Sequence, residues 1–179
     1  ASKSAITLFQ RQRYILQNID LPKIDFFWSL ILSKFWGYFI NFLIFLAFSL
    51  IFFHNSLSFA LLWIIPIWIG LAMFTVGVCF YLATLYIFLR DLDHLWSIVI
   101  MAGFWTVPII WDYKIIFEGY EFMMYNPLTA FVVQVRQVTL QNQMPDLKYL
   151  SIALLISAFI AISGYFFMKY QSKKALEFL

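Results

Sequence analysis

Charge is scarce in this sequence: Asp, Glu, Lys and Arg together make up 12% of 179 residues, against 64% hydrophobic side chains. A water-soluble domain of this length could not bury so much apolar surface, so lipid is the expected solvent. Cysteine is nearly absent. Cys79 stands alone in an apolar run, which excludes an internal disulfide. A formal net charge of +3 is too small to indicate nucleic acid and reads instead as flanking charge that sets membrane orientation. There is no Gly-rich phosphate loop ending in Lys and Ser/Thr, so the chain is not expected to hydrolyse a nucleotide by a P-loop mechanism. With two histidines, His54 and His94, expected on opposite membrane faces, no metal site is expected either. The chain opens at Ala1 without an initiator Met or the basic, apolar and cleavage regions of a signal peptide, and further residues are expected to precede it.

What is present is a series of long apolar runs. The expected fold is all-α, a polytopic membrane bundle forming one domain, with four spans at 29–53, 58–89, 95–111 and 149–168. The second run exceeds the ~20 residues a span needs, and Pro66 is expected to kink it. His54-Asn55-Ser56 forms a tight hairpin between the first two spans. Lys3, Arg11, Arg13, Lys23, Arg90, Lys169, Lys173 and Lys174 fall on one side, and Lys114, Arg136 and Lys148 on the other. The positive-inside rule then places both ends of this chain and the Arg90 turn in the cytoplasm, with Lys34 snorkelling back to the headgroups.

Four segments are candidates for function. Residues 9–18 form a basic amphipathic stretch. Its arginines suit anionic headgroups, while Tyr14, Ile15 and Leu16 would also anchor a short helix in a partner's groove. Arg90-Asp91-Leu92-Asp93-His94 offers two carboxylates and an imidazole, but either Asp also explains itself as a cap on the next helix. Asn126-Pro127 reads as a helix start, with Leu128, Phe131, Val132, Val135 and Val138 recurring at helical spacing and Thr129, Arg136 and Gln137 off that face. The preceding segment, 115–124, carries Phe117, Tyr120, Phe122 and Met123 beside Glu118 and Glu121. Too polar to span and too apolar for a solvated loop, 112–147 reads as interfacial helices, either a gate or simple packing. The abundant aromatics, Trp36, Tyr38, Phe104, Trp105 and Trp111 among them, suit headgroup belts or an inward stacking path for sugar rings. Gly70 and Gly77, one heptad apart, suggest close helix packing.

In order, Leu21-Pro22-Lys23 before a span, Phe88-Leu89-Arg90-Asp91-Leu92 at a turn, Phe104-Trp105-Thr106-Val107-Pro108-Ile109, Tyr125-Asn126-Pro127-Leu128, Arg136 and a last span ending in Lys and aromatics complete a pattern. It resembles the permease subunit of bacterial ABC transporters that export polysaccharide, whether O-antigen, capsule or teichoic acid. The resemblance covers the later two-thirds of that family's pattern. It implies a subunit of six spans when complete, with residues 1–9 ending a preceding span and 169–179 a cytoplasmic tail. It further implies residues 10–18 as the coupling helix, through Arg11, Arg13, Tyr14, Ile15 and Leu16. A gate at 112–147 would involve Phe117, Tyr120, Met123, Asn126, Pro127, Phe131 and Val135. The aromatics Trp36, Tyr38, Phe104, Trp105 and Trp111 become candidates for the channel wall. The implied partners are a second copy, two ATP-binding subunits that hold the ATP and Mg, a lipid-linked glycan and membrane lipid, with no cofactor or catalytic residue in this chain. A lipid or drug exporter would share the topology, and a membrane-embedded transferase using Asp91, Asp93 and His94, or a structural assembly subunit, would be a different class of protein.

Overall fold

The computed structural model describes residues 1–6, 23–53, 59–89, 91–111 and 121–175. The expected coupling helix (10–18), the 54–56 hairpin, Arg90, Phe117 and Tyr120 lie outside these residues. The described chain is all-α: α1 (Ser2–Ile6), α2 (Lys23–Phe53), α3 (Ile64–Phe88), α4 (Leu92–Thr106), α5 (Pro127–Leu140) and α6 (Leu147–Ala175), with 3-10 turns at Phe59–Trp63 and Glu121–Tyr125. Among the described residues three helices are long and apolar enough to cross a membrane: α2, α3 with its preceding turn, and α6.

α3 is the axis of the bundle. Its hydroxyls stay satisfied by turning back on the helix, Thr75 Oγ1 donating to Leu71 O at 2.7 Å and Thr84 Oγ1 to Phe80 O at 2.8 Å. This is how polar side chains persist without water. Pro66, the expected kink site, sits in the first turn of α3, directly after the 3-10 turn at Phe59–Trp63, where a missing N–H costs little.

α6 runs along α3 in the most extensive helix pairing among the described residues. It holds the expected fourth span but starts at Leu147 and continues to Ala175, past residue 168. The backbones touch where Gly77 meets the Ile160 carbonyl and Gly164 meets Gly77 O. Ala153, Ser157 and Met168 extend the buried line of α6 above and below that contact. Between helices already surrounded by lipid, such close approach supplies the dispersion contacts that hold them together.

α2 is a long helix without a proline. Its Asn41 Nδ2 donates to Gly37 O at 3.0 Å, within the helix. Ile31 is its anchor, buried with Ala5, Cys79, Phe80, Ala83 and Met168. Along most of its length Trp36, Leu43, Ile44 and Phe48 remain exposed. α4 differs most from expectation. It has 15 residues, about 22 Å at ~1.5 Å per residue, short of a hydrocarbon core of ~30 Å, and none of its residues is buried. It ends at Thr106 rather than Trp111, because Pro108 cannot continue it and Val107 is already extended. Asp91 occupies its N-cap position but makes no side-chain capping bond, and Asp93 lies in the first turn, where its charge favours the helix dipole.

Candidate functional site

Residues 108–111 and 121–146 gather polar and aromatic features at one end of the bundle. Asn126 and Pro127 start α5 as the sequence indicates. Asn126 is extended (φ −72°, ψ 118°), its Oδ1 accepts from the Leu128 N–H at 3.0 Å, and Pro127 opens the helix.

α5 is not laid on a surface with one apolar face. It is wedged against α3, α6 and both 3-10 turns, and it is buried on more than one side: at Pro127, Ala130, Phe131, Gln134 and Val138, and also at Thr129, Val133 and Thr139. Thr129, expected off the apolar face, is fully buried, whereas Leu128, Val132 and Val135 are half-buried. Among the described residues Phe131 is the deepest aromatic, packed with Ile64, Ile67, Leu150 and Ala153 over Gly70. Met123 lies elsewhere, against Met124, Val133, Tyr149 and Trp111. Phe131 and Met123, expected to meet in one gate contact, therefore occupy different clusters. Val135 borders the Phe131 cluster, and Asn126 and Pro127 serve as the helix start.

The candidate channel aromatics also separate. Tyr38 meets Trp68 edge-on at 5.5 Å, and Trp68 meets Phe39 and Phe42 in the same way at 5.6 and 4.9 Å. Trp36 stacks on Phe39 at 5.9 Å and is 67% exposed. Phe104 and Trp105 pair edge-on at 6.1 Å at the end of α4, and Trp111 packs in the Met124 cluster. Two cavities open beside α5. One of about 370 Å³ is bordered by Tyr38, Phe42, Phe45, Val135 and Arg136. The other, about 670 Å³, is bordered by Phe74, Trp96, Phe104, Leu128 and Val132. Trp68, the hub of the α2–α3 aromatic patch, was not singled out by its sequence context, since nothing in an all-apolar run marks which tryptophan faces a neighbour.

Two polar side chains organise this end. Arg136 donates from Nη2 to Ile109 O at 2.8 Å and from Nη1 to Trp111 O at 3.1 Å, taking up carbonyls freed where Pro108 ends the helical path. Gln134, fully buried, accepts from the Asp146 N–H at 2.8 Å and donates to Asp146 O at 3.3 Å. At the other end Lys3 Nζ donates to Ser97 Oγ at 3.0 Å and Trp96 Nε1 to Ser2 Oγ at 3.2 Å, tying α1 to α4. Among the described residues no three His, Cys, Asp or Glu side chains group to hold a metal ion.

No family model matches the chain. Two curated proteins do, each an O-antigen export system permease protein RfbA from Klebsiella pneumoniae. They are 33% and 31% identical over 109 residues, 60% of this chain. The chain spans 42% of the length of each. Over that stretch the chain is therefore similar to O-antigen export system permease proteins, in keeping with the family resemblance noted in its sequence.

Proposed function

We propose that this chain belongs to the membrane subunit of an ATP-driven exporter that carries a lipid-linked polysaccharide of the O-antigen class across the bacterial cytoplasmic membrane. The observation that carries this reading is the 33% identity over 109 residues with an O-antigen export permease. The fold supports it, with three described helices long and apolar enough to cross a membrane. In this reading the ATPase is a separate subunit that binds ATP and Mg and engages residues 10–18. A second copy of the permease covers part of the exposed face of α2. Capsule and teichoic-acid glycans have the same lipid-linked chemistry and are the nearest alternative cargo. In the same reading both ends of this chain face the cytoplasm, which the segregation of the basic residues supports.

Depleting the full-length protein from cells should leave the lipid-linked glycan on the inner leaflet and remove it from the surface. Surface glycan that persists after depletion would overturn the proposal, as would purified protein that modifies the glycan without an ATPase. The triple variant Arg11→Ala, Arg13→Ala, Tyr14→Ala should insert normally yet no longer bring down the ATPase. Topology is tested by cysteines placed singly. Asn142→Cys should react with an impermeant thiol reagent from outside and Lys173→Cys should not, while native Cys79, fully buried, stays silent. The opposite pattern would invert the orientation and remove the coupling assignment with it.

A further inference from the structure

We propose that α5 is a rigid bracket: Gln134 fixes the start of α6 to it and Arg136 fixes the turn after α4 to it, so that the three move as one body during transport. Residues two apart on a helix point about 200° away from each other. The two side chains therefore reach in nearly opposite directions from one turn of α5, and each ends on backbone rather than on another side chain.

The Gln134 contact is built for holding. Its amide accepts with its oxygen and donates with one N–H, and Asp146 supplies a matching N–H and carbonyl. Asp146 is also the start of α6. Its carbonyl takes the first helical N–H, from Leu150 at 3.0 Å, and its Oδ1 caps Lys148 N at 3.0 Å. Holding Asp146 thus holds the axis of α6. The connection between is pinned as well. Asn142 takes a left-handed turn (φ 52°), which Asn tolerates better than most residues, and Gln143 N–H reaches back to Gln137 O at 3.1 Å.

On the other side Arg136 spans two carbonyls with one planar guanidinium, at Ile109 and Trp111. A fork with fixed geometry constrains the turn in two places, where a lysine would hold one. Thr139 Oγ1 turns back to Val135 O, so the last turn of α5 stays closed between these contacts. Gln134 itself is fully buried, so breaking its pair leaves its side-chain amide without a solvent partner. A gate in which α5 swings against α6 would have to break the Gln134 pair in every cycle. The bracket moves the hinge away from α5, to the joint between this body and α2 or the body of α4.

The test uses the full-length permease, first in detergent and then with its ATPase, so the first stage does not depend on the export reading. Spin labels at Ile110 and Met144, both about 71% exposed, sit on the two arms of the bracket. Their distance distribution should be narrow and identical with and without ATP. A broad distribution in the unmodified bracket, or one that shifts with nucleotide, overturns the proposal. Hydrogen exchange reports the Gln134 contact directly. Gln134→Met keeps the side-chain length but removes the pair, and the Asp146 amide should exchange about ten-fold faster. Gln134→Glu restores an acceptor, so Asp146 protection should return towards that of the unmodified protein. Arg136→Met should broaden the Ile110–Met144 distances while leaving Asp146 protected. Unchanged exchange in Gln134→Met, or no rescue by Gln134→Glu, shows that the contact is incidental. If Gln134→Met fails to fold, the distance measurement on the unmodified bracket and the Gln134→Glu variant decide.

Discussion

Gly77→Ala should be among the most damaging single-methyl changes available in this chain. A Cβ at Gly77 would lie 2.6 Å from the carbonyl carbon and oxygen of Ile160, and one at Gly164 would lie 2.7 Å from Gly77 O. No side chain can yield here, because the obstacle in both cases is backbone. The methyl group must either part α3 from α6 along their main seam or bend one of them. Overpacking of this type costs about 1–3 kcal/mol where side chains can adjust, and the backbone contact puts this case at the upper end. Gly164→Ala should do nearly the same from the opposite helix. Gly37→Ala and Gly103→Ala provide the comparison, since a Cβ at either meets nothing within 4 Å. Thermal unfolding in detergent, followed by the monodisperse fraction remaining after heating, should show a clear loss for the first pair and none for the second. Equal stability across all four would mean that the helices are not held at the spacing described.

The sequence disclosed what depends on neighbouring residues and hid what depends on distant ones. The start of α5 was legible because Asn126 caps and Pro127 opens a helix by local chemistry alone. Gly70 and Gly77 marked the packed side of α3 by their heptad spacing, whereas Gly37 and Gly103, single glycines in other apolar helices, meet no neighbour. Gly164 on α6 was not singled out by the sequence, and the structure sets it against Gly77 O. The setting of Pro66 was not legible, because proline breaks a helix from inside but is tolerated in its first turn, and the apolar residues 59–63 gave no sign that they form a 3-10 turn ahead of the α-helix. The buried face of α5 could not be read from its periodicity. With α3, α6 and two turns around it, burial follows several directions, and small or internally bonded polar residues such as Thr139 are carried inside. Gln134 showed least of all. Its partner is a backbone amide twelve residues later, and a backbone group leaves no mark in the side-chain sequence. The candidate channel aromatics suffered from abundance: at 22% aromatic content, position along a helix does not tell lipid-facing rings from the Trp68 cluster.

Phe131 and Gly70 should prove strongly coupled, which separates a packed wedge from a gate contact made only in one state. Phe131 is 2% exposed, and its ring lies where a Gly70 side chain would go: a Cβ there would be 2.6 Å from Phe131 Cζ and 2.6 Å from Leu154 Cδ2. Phe131→Ala alone removes the ring from a cluster including Ile67, Leu150 and Ala153 and should cost about 3–5 kcal/mol through lost burial and the cavity left behind. Lipid-facing surroundings weaken the transfer part of that loss but not the cavity part, because the lining atoms lose their contacts outright. Gly70→Ala alone should cost about 1–3 kcal/mol by crowding the ring. Together the two changes should cost clearly less than their sum, since the new methyl group enters the space the ring has vacated. An interaction term of roughly 1 kcal/mol or more, opposite in sign to the single losses, falls within the range expected for residues in direct contact. The measurement is a double-mutant cycle on the full-length protein by reversible unfolding in mixed micelles, repeated with the ATPase and a non-hydrolysable nucleotide. A coupling of the same size in both conditions means that Phe131 stays seated on Gly70 throughout the cycle. Coupling that vanishes with nucleotide would mean that α5 leaves α3 as the transporter turns over, returning Phe131 to the gate; strict additivity in both would remove the contact itself.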